Sequence, residues 1–241
     1  MDFLMELNWF AVGQIILIDI LLGGDNAIVI ALACRNLPSN LRFRGILWGT
    51  FGAIAIRIAL IAFAVSLLQM PYIKLIGGVL LFWIGTKLLS DDDGHGEISG
   101  SDKLLAAIKT IIVADLVMSL DNVIAIASAA EQAAGEHQLL LVVFGILVSI
   151  PIIVWGSTLV LKLMEKAPLI ITLGAALLGY LAGGMIISDV AIRGWVQSTL
   201  PHHEFVVPGL QLHLSLPGIV GAIGVVIVGS WLARKNAKEG H

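Results

Sequence analysis

Seven stretches of this chain are each long and apolar enough to cross a bilayer, at about residues 9–33, 45–69, 72–90, 104–129, 138–161, 168–188 and 216–233. A spanning helix needs roughly 20 mostly apolar residues, and in lipid every backbone polar group must find its partner inside the protein. The runs are too long, and too rich in Leu, Ala and Gly, to be buried strands. The expected fold is therefore an all-α integral membrane protein with seven transmembrane helices. Composition agrees. The 241 residues are 58% hydrophobic and only 13% charged, an apolar excess that one soluble core of this size cannot bury. That content also excludes disorder. Cys34 is the only cysteine, which excludes a disulfide scaffold. A net charge of −3 argues against a nucleic-acid partner.

Trp9, Trp48, Trp83, Trp195 and Trp231 fall near the proposed span ends and suit the aromatic belt at the lipid–water boundary. The first run does not read as a cleavable signal, because Asp2 and Glu6 precede it and Cys34-Arg35 follows it. Assigning alternate connections to alternate sides puts eleven Lys and Arg on one side and only Lys74 and Arg193 on the other, with Arg57 inside the second span. That asymmetry predicts the N-terminus outside and the C-terminus in the cytoplasm.

Two connections are longer than a tight turn. Residues 91–102, DDDGHGEISGSD, read as an acidic, flexible cytoplasmic linker, with a cation-collecting mouth as the other reading. The outer loop at 190–215 carries His202, His203, Glu204 and His213. A surface segment lying on the membrane is expected there rather than a metal site.

Self-similarity organises the rest. Segment 19–31, DILLGGDNAIVIA, matches segment 115–127, DLVMSLDNVIAIA, so that Asp19, Asp25 and Asn26 recur as Asp115, Asp121 and Asn122 at a constant offset of 96. A weaker match takes Pro71, Gly77, Leu80 and Leu81 to Pro168, Gly174, Leu177 and Leu178. The chain then divides into a first three-helix repeat (1–90), the linker (91–102), a second repeat (103–189), the outer loop (190–215), and a seventh helix with a basic tail (216–241). Each repeat crosses an odd number of times, so the two must be inverted. Inverted repeats place a site near the bilayer midplane and are typical of secondary transporters.

Carboxylates inside apolar helices are expensive, at about 2.5–3.5 kcal/mol for an Asp near a helix centre. Two copies of D-x5-D-N are therefore read as functional rather than as a structural network, since Arg57 alone cannot neutralise four Asp. Asp19, Asp25, Asp115 and Asp121 offer anionic oxygen; Asn26 and Asn122 offer amide oxygen. An all-oxygen set suits magnesium, calcium or manganese. Positions six apart on a straight helix differ by about 9 Å along the axis and about 240° around it. Either the helices unwind, for which Gly23-Gly24 is a credible break in the first, or the outer and inner aspartates serve successive sites. The central site is expected at Asp25, Asn26, Asp121 and Asn122, with Asp19 and Asp115 close by.

Arg57 is expected to pair with one carboxylate, to set the local charge or to mimic a cation in the empty site; its counterpart in the second half is Ile153. Asp189, at the end of the sixth span, is either an exit ligand or a helix-end residue. Gly77-Gly78 and Gly183-Gly184 read as close helix packing, and Cys34 as a small packing residue.

The duplicated LLGGDNAIVIA and ADLVMSLDNVIAIA segments, in a seven-span chain of this length, resemble the TerC family of integral membrane proteins, in particular its short YjbE-type branch of metal transporters. The resemblance covers nearly the whole chain. It implies a multi-pass protein of the bacterial plasma (inner) membrane, related in architecture to LysE-type exporters and linked to manganese efflux and metal homeostasis. The expected function is a secondary transporter that exports a divalent cation, manganese(II) before others, as substrate rather than as a permanent cofactor. Clustered carboxylates cannot all stay ionised in a low-dielectric site without a cation, so protons are the candidate counter-ion. The lipid bilayer is the remaining expected partner, and a homo-oligomer stays open. No enzymatic activity is expected. A retinal-type pump would need a lysine within 216–233, and there is none. An intramembrane aspartyl protease has no use for the paired Asn residues. A non-transporting assembly protein is the other alternative.

Overall fold

The computed structural model describes residues 9–68, 70–90, 100–132, 138–199, 204–207 and 212–239. These are almost entirely helical: α1 (Trp9–Cys34), α2 (Ser39–Leu68), α3 (Ile73–Ser90), α4 (Gly100–Gln132), α5 (Gln138–Lys166), α6 (Leu169–Ile187), α7 (Arg193–Thr199) and α8 (Leu216–Glu239). Each of the seven apolar runs lies on a helix. Several helices continue past the apolar run, as α2 does into Ser39–Arg44 and α8 into Arg234–Glu239. Arg, Lys and Glu are good helix formers, so leaving the hydrocarbon does not end the helix.

Five helical segments among the described residues are long and apolar enough to cross a membrane: Ser39–Leu60, Ile73–Ser90, Ile146–Lys166, Leu169–Ile187 and Leu216–Lys238. Their outward faces carry large apolar side chains such as Ile76, Trp155, Leu173 and Ile227. Trp48, Trp83, Trp195 and Trp231 are all more than half exposed. Lys87 lies 5.3 Å from the ring centre of Trp83, and Lys235 lies 5.9 Å from that of Trp231. An aromatic ring with a lysine one turn on is suited to the headgroup boundary.

Two details go beyond what the sequence settles. The helix α1 runs unbroken through Gly23-Gly24. Intrahelical hydrogen bonds outweigh the modest propensity deficit of glycine, about 1 kcal/mol per residue. The connection at 190–215 holds, beside the short α7, the strands β1 (Glu204–Val207) and β2 (Leu212–Ser215), antiparallel with Glu204 opposite Ser215. Phe205, Val206 and Val207 are good strand formers, and the local pairing adds a small β element to an otherwise helical chain. His202 and His203 lie outside the described residues.

The chain folds as two compact units. The first takes α1, α2 as far as Val65, α4 and α5 as far as Lys162. Ile30 and Cys34 of α1, Ile46 and Ala53 of α2, Ile111 of α4 and Ile153 of α5 share one buried cluster, so Cys34 is a packing residue. Glycines set the spacing of α2: a Cβ on Gly45 would lie 2.9 Å from the Cys34 sulfur, and one on Gly49 2.5 Å from Ile111. Small residues let helices approach closely where lipid offers no hydrophobic drive to pack. Between α1 and α2, the Arg42 guanidinium donates to the carbonyls of Leu37 (2.9 Å) and Arg35 (3.1 Å), satisfying acceptors past the end of α1.

The second unit gathers α3, α6, α7, the hairpin and α8. Gly179 and Gly183, one turn apart on α6, meet the backbone of Gly221 and Pro217 on α8 with no room for a Cβ. A Cβ on Gly78 of α3 would lie 2.8 Å from the Ala182 carbonyl. Gly78 and Gly183 are thus packing positions. Ser215 caps α8 by accepting from the Gly218 N–H (3.3 Å), and its own N–H donates to the Tyr180 hydroxyl (3.1 Å). Each sequence repeat therefore contributes its first two helices to the first unit and its third to the second.

Candidate ion site

The first unit buries an unusual set of polar side chains. On α4, Asp115 and Ser119 are one turn apart and share a face. Both are buried, and Ser119 Oγ donates to Asp115 Oδ2 at 3.1 Å. Arg57 reaches them from α2. Its Nη2 ion-pairs with Asp115 Oδ1, and its Nε donates to Ser119 Oγ at 3.0 Å. The three side chains form a closed ring in which Arg57 is only 1% exposed. Removing one partner from a buried ion pair of this kind costs about 3–5 kcal/mol, because the other charge is left uncompensated.

Asp25 and Asn26 on α1 supply the opposite situation. Asn26 is 3% exposed, and neither its Oδ1 nor its Nδ2 has a hydrogen-bond partner among the described residues. Asp25 Oδ1 is likewise buried and without a partner there. Leaving such groups unsatisfied costs about 1–3 kcal/mol each. A small cavity of ≈ 10 Å³ lies beside them, lined by Asn26, Val29, Ile30, Ile111 and Asp115. That is room for one water-sized guest. Asn26 and Asp115 line it together with the aliphatic Val29, Ile30 and Ile111, and the surface it exposes is apolar.

Of the six site residues expected from the sequence, the structure brings Asn26 and Asp115 to one cavity wall, with Asp25 adjacent to Asn26 in the chain. Asp19, Asp121 and Asn122 belong to helices α1 and α4, but their side chains lie outside the described residues. With α1 and α4 unbroken, positions 19 and 25, and positions 115 and 121, fall on different faces of their helices. Among the described residues, no three of His, Cys, Asp and Glu are grouped to hold a metal. Ser119 aligns with Gly23 at the offset of 96, and nothing in the sequence marks it; its role as the hydroxyl that bridges Arg57 and Asp115 becomes apparent from the packing. Thr50, buried on α2 with its Oγ1 unpartnered among the described residues, was not anticipated.

Asp189 resolves as a helix-end residue of the second unit. Its carboxylate accepts from the backbone N–H groups of Tyr72 (3.0 Å), Leu75 (3.0 Å) and Ala191 (2.8 Å). The first two open α3, so Asp189 caps that helix from a distant part of the chain. Burial on its own raises the Asp189 pKa, but the backbone donors outweigh it and hold the carboxyl below its ordinary value.

A family model described as "Integral membrane protein TerC family" matches residues 4–238. The chain is 46% identical over 190 residues to the "Uncharacterized membrane protein YjbE" of Bacillus subtilis, covering 76% of this chain and 85% of that protein. It is 26% identical to the "Uncharacterized membrane protein YceF" of the same organism, over 52% of each chain. It is also 30% identical to the "UPF0053 inner membrane protein YgdQ" of Escherichia coli, over 48% of this chain and 56% of that one. No solved structure matches the chain.

Proposed function

The chain belongs to the TerC family of integral membrane proteins, a multi-pass protein of the bacterial plasma membrane, and from that premise we propose that it is a secondary transporter exporting a divalent cation, manganese(II) before others. One observation carries this reading: Asn26, whose buried amide is unpartnered among the described residues, lines a small cavity together with Asp115. A hard cation takes up the amide and carboxylate oxygens of these residues. It accepts oxygen ligands, takes no soft donor, and offsets the excess of buried carboxylate.

In this reading the two D-x5-D-N motifs serve the ion from opposite repeats at successive positions, Asp25, Asn26, Asp121 and Asn122 at one and Asp115 beside Asn26 at the next. Seven spanning helices, an N-terminus outside and inverted halves complete the architecture; the even division of both repeats between the two compact units supports it. The protein is a carrier and not an enzyme, and the metal is cargo rather than a resident cofactor. Protons are the counter-ion: an ion arriving from the cytoplasm displaces them from the carboxylates, and its release outside lets them return.

The test is manganese flux into or out of proteoliposomes holding the full chain, under an imposed pH gradient at zero membrane potential. Flux that follows the gradient and vanishes in Asp25→Ala is the expected result. Flux driven by voltage alone overturns the proton coupling, and absence of any divalent-cation flux overturns the transport reading.

A further inference from the structure

We propose that Arg57 is a built-in competing cation, which weakens the hold of the site on a divalent ion so that the ion can leave. The inference rests on the ion-site reading above and concerns the residue that sets its affinity.

Packing does not require a charge at this position. The residue 96 further on is Ile153, and it is buried too, at 6% exposed against 1% for Arg57. The burial pattern of the two helices repeats around it: Thr50 and Ile146 are both buried, as are Ala53 and Ser149. The same stripe of the second repeat is thus filled without a cation. Ser119, which holds the guanidinium through its Nε, has Gly23 as its counterpart. Cation and hydroxyl therefore occur together in one half and are both replaced in the other. A purely structural need would have no reason to be met by Arg on one side and by Ile on the other.

The location gives the asymmetry a consequence. Asp115 lines the cavity and is also the carboxylate that Arg57 engages. A divalent ion entering beside Asn26 meets a carboxylate whose charge is already shared with a guanidinium. Two cations near one carboxylate repel each other, and in a buried site that repulsion is poorly screened. Binding is weakened and release is eased. Arg is suited to the task because its charge cannot be removed by proton loss and its fork holds both Asp115 and Ser119.

The measurement is equilibrium binding of manganese(II) to the purified full chain at pH 8, together with maximal flux in proteoliposomes. Arg57→Gln should bind manganese about tenfold more tightly, equivalent to about 1.4 kcal/mol, while its maximal flux falls. A folding defect would lower both. Arg57→Lys, which keeps the charge, should restore most of the flux. Asp115→Asn removes the carboxylate charge that Arg57 engages and should weaken binding about tenfold, and adding Arg57→Gln to it should recover a large part of that loss. Arg57→Gln binding at or below wild-type affinity overturns the inference. So does a double variant no better than Asp115→Asn alone, a comparison that decides the matter even if Arg57→Gln does not accumulate. Wild-type protein that binds no manganese overturns the ion-site reading, and this inference with it.

Discussion

The carboxylate of Asp189 accepts a hydrogen bond from the backbone N–H of Tyr72, 117 residues earlier in the chain. Tyr72 provides the carbonyl that accepts the first helical bond of α3, from Ile76 N–H at 2.9 Å. Asp189 therefore satisfies donors that the start of a helix leaves without intrahelical partners. Replacing it by Ala removes the acceptor of three backbone donors at once and should lower stability by about 2 kcal/mol. Asp189→Asn, with one acceptor oxygen in place of two, should fall between. Because the folded carboxyl is held below its ordinary value, this contribution is present in full well above the unfolded value of about 3.9, and it is lost as pH falls through the folded one. The difference in Tm between wild type and Asp189→Ala in detergent should be flat from about pH 6 to 8 and shrink only in strong acid. A difference that disappears near neutrality would contradict the capping role.

Tyr72 holds a left-handed backbone, with φ 71°, the only such non-glycine residue among those described. For an L-residue that conformation costs about 1–2 kcal/mol, which glycine avoids. The side chain is 56% exposed, so its removal opens no core cavity. Tyr72→Gly should leave Tm unchanged or raise it, and a clear loss would show that the ring anchors this turn.

Gly183 and Gly184 are adjacent but should respond oppositely to one methyl group. A Cβ on Gly183 runs into the Pro217 carbonyl on α8, whereas one on Gly184 meets nothing within 4 Å among the described residues. Backbone cannot move aside as a flexible side chain can, so Gly183→Ala should cost about 1–3 kcal/mol or more. Gly184→Ala should be neutral or slightly stabilising, as expected for glycine in a helix. Thermal melts of the two variants side by side give the answer.

Asn26 should show function traded against stability. Its amide has no hydrogen-bond partner among the described residues, so replacement by Leu removes an unsatisfied group without breaking a bond seen there. Asn26→Leu should retain the wild-type Tm or exceed it by a few degrees. The same variant should lose manganese flux. Retained flux would dismiss Asn26 as a ligand, and a large drop in Tm would mark it as structural.

Much of this protein can be read along the chain. The helices follow from runs of apolar residues, because lipid selects on local composition and on length. The doubled D-x5-D-N pattern marks Asp25, Asn26 and Asp115 before any fold is known, because carboxylates are rare where desolvation is costly. Tertiary structure alone decided the partners. Nothing local to Arg57 says that it pairs with Asp115, or that Ser119 bridges the two. Nothing near Asp189 points to Tyr72 and Leu75. The chain also left open whether Gly23-Gly24 breaks α1, and the fold keeps it helical. Composition and period are properties of neighbours in sequence. Ion pairs, caps and cavities depend on which helix faces are brought together, and that is set by contacts between residues far apart in the chain.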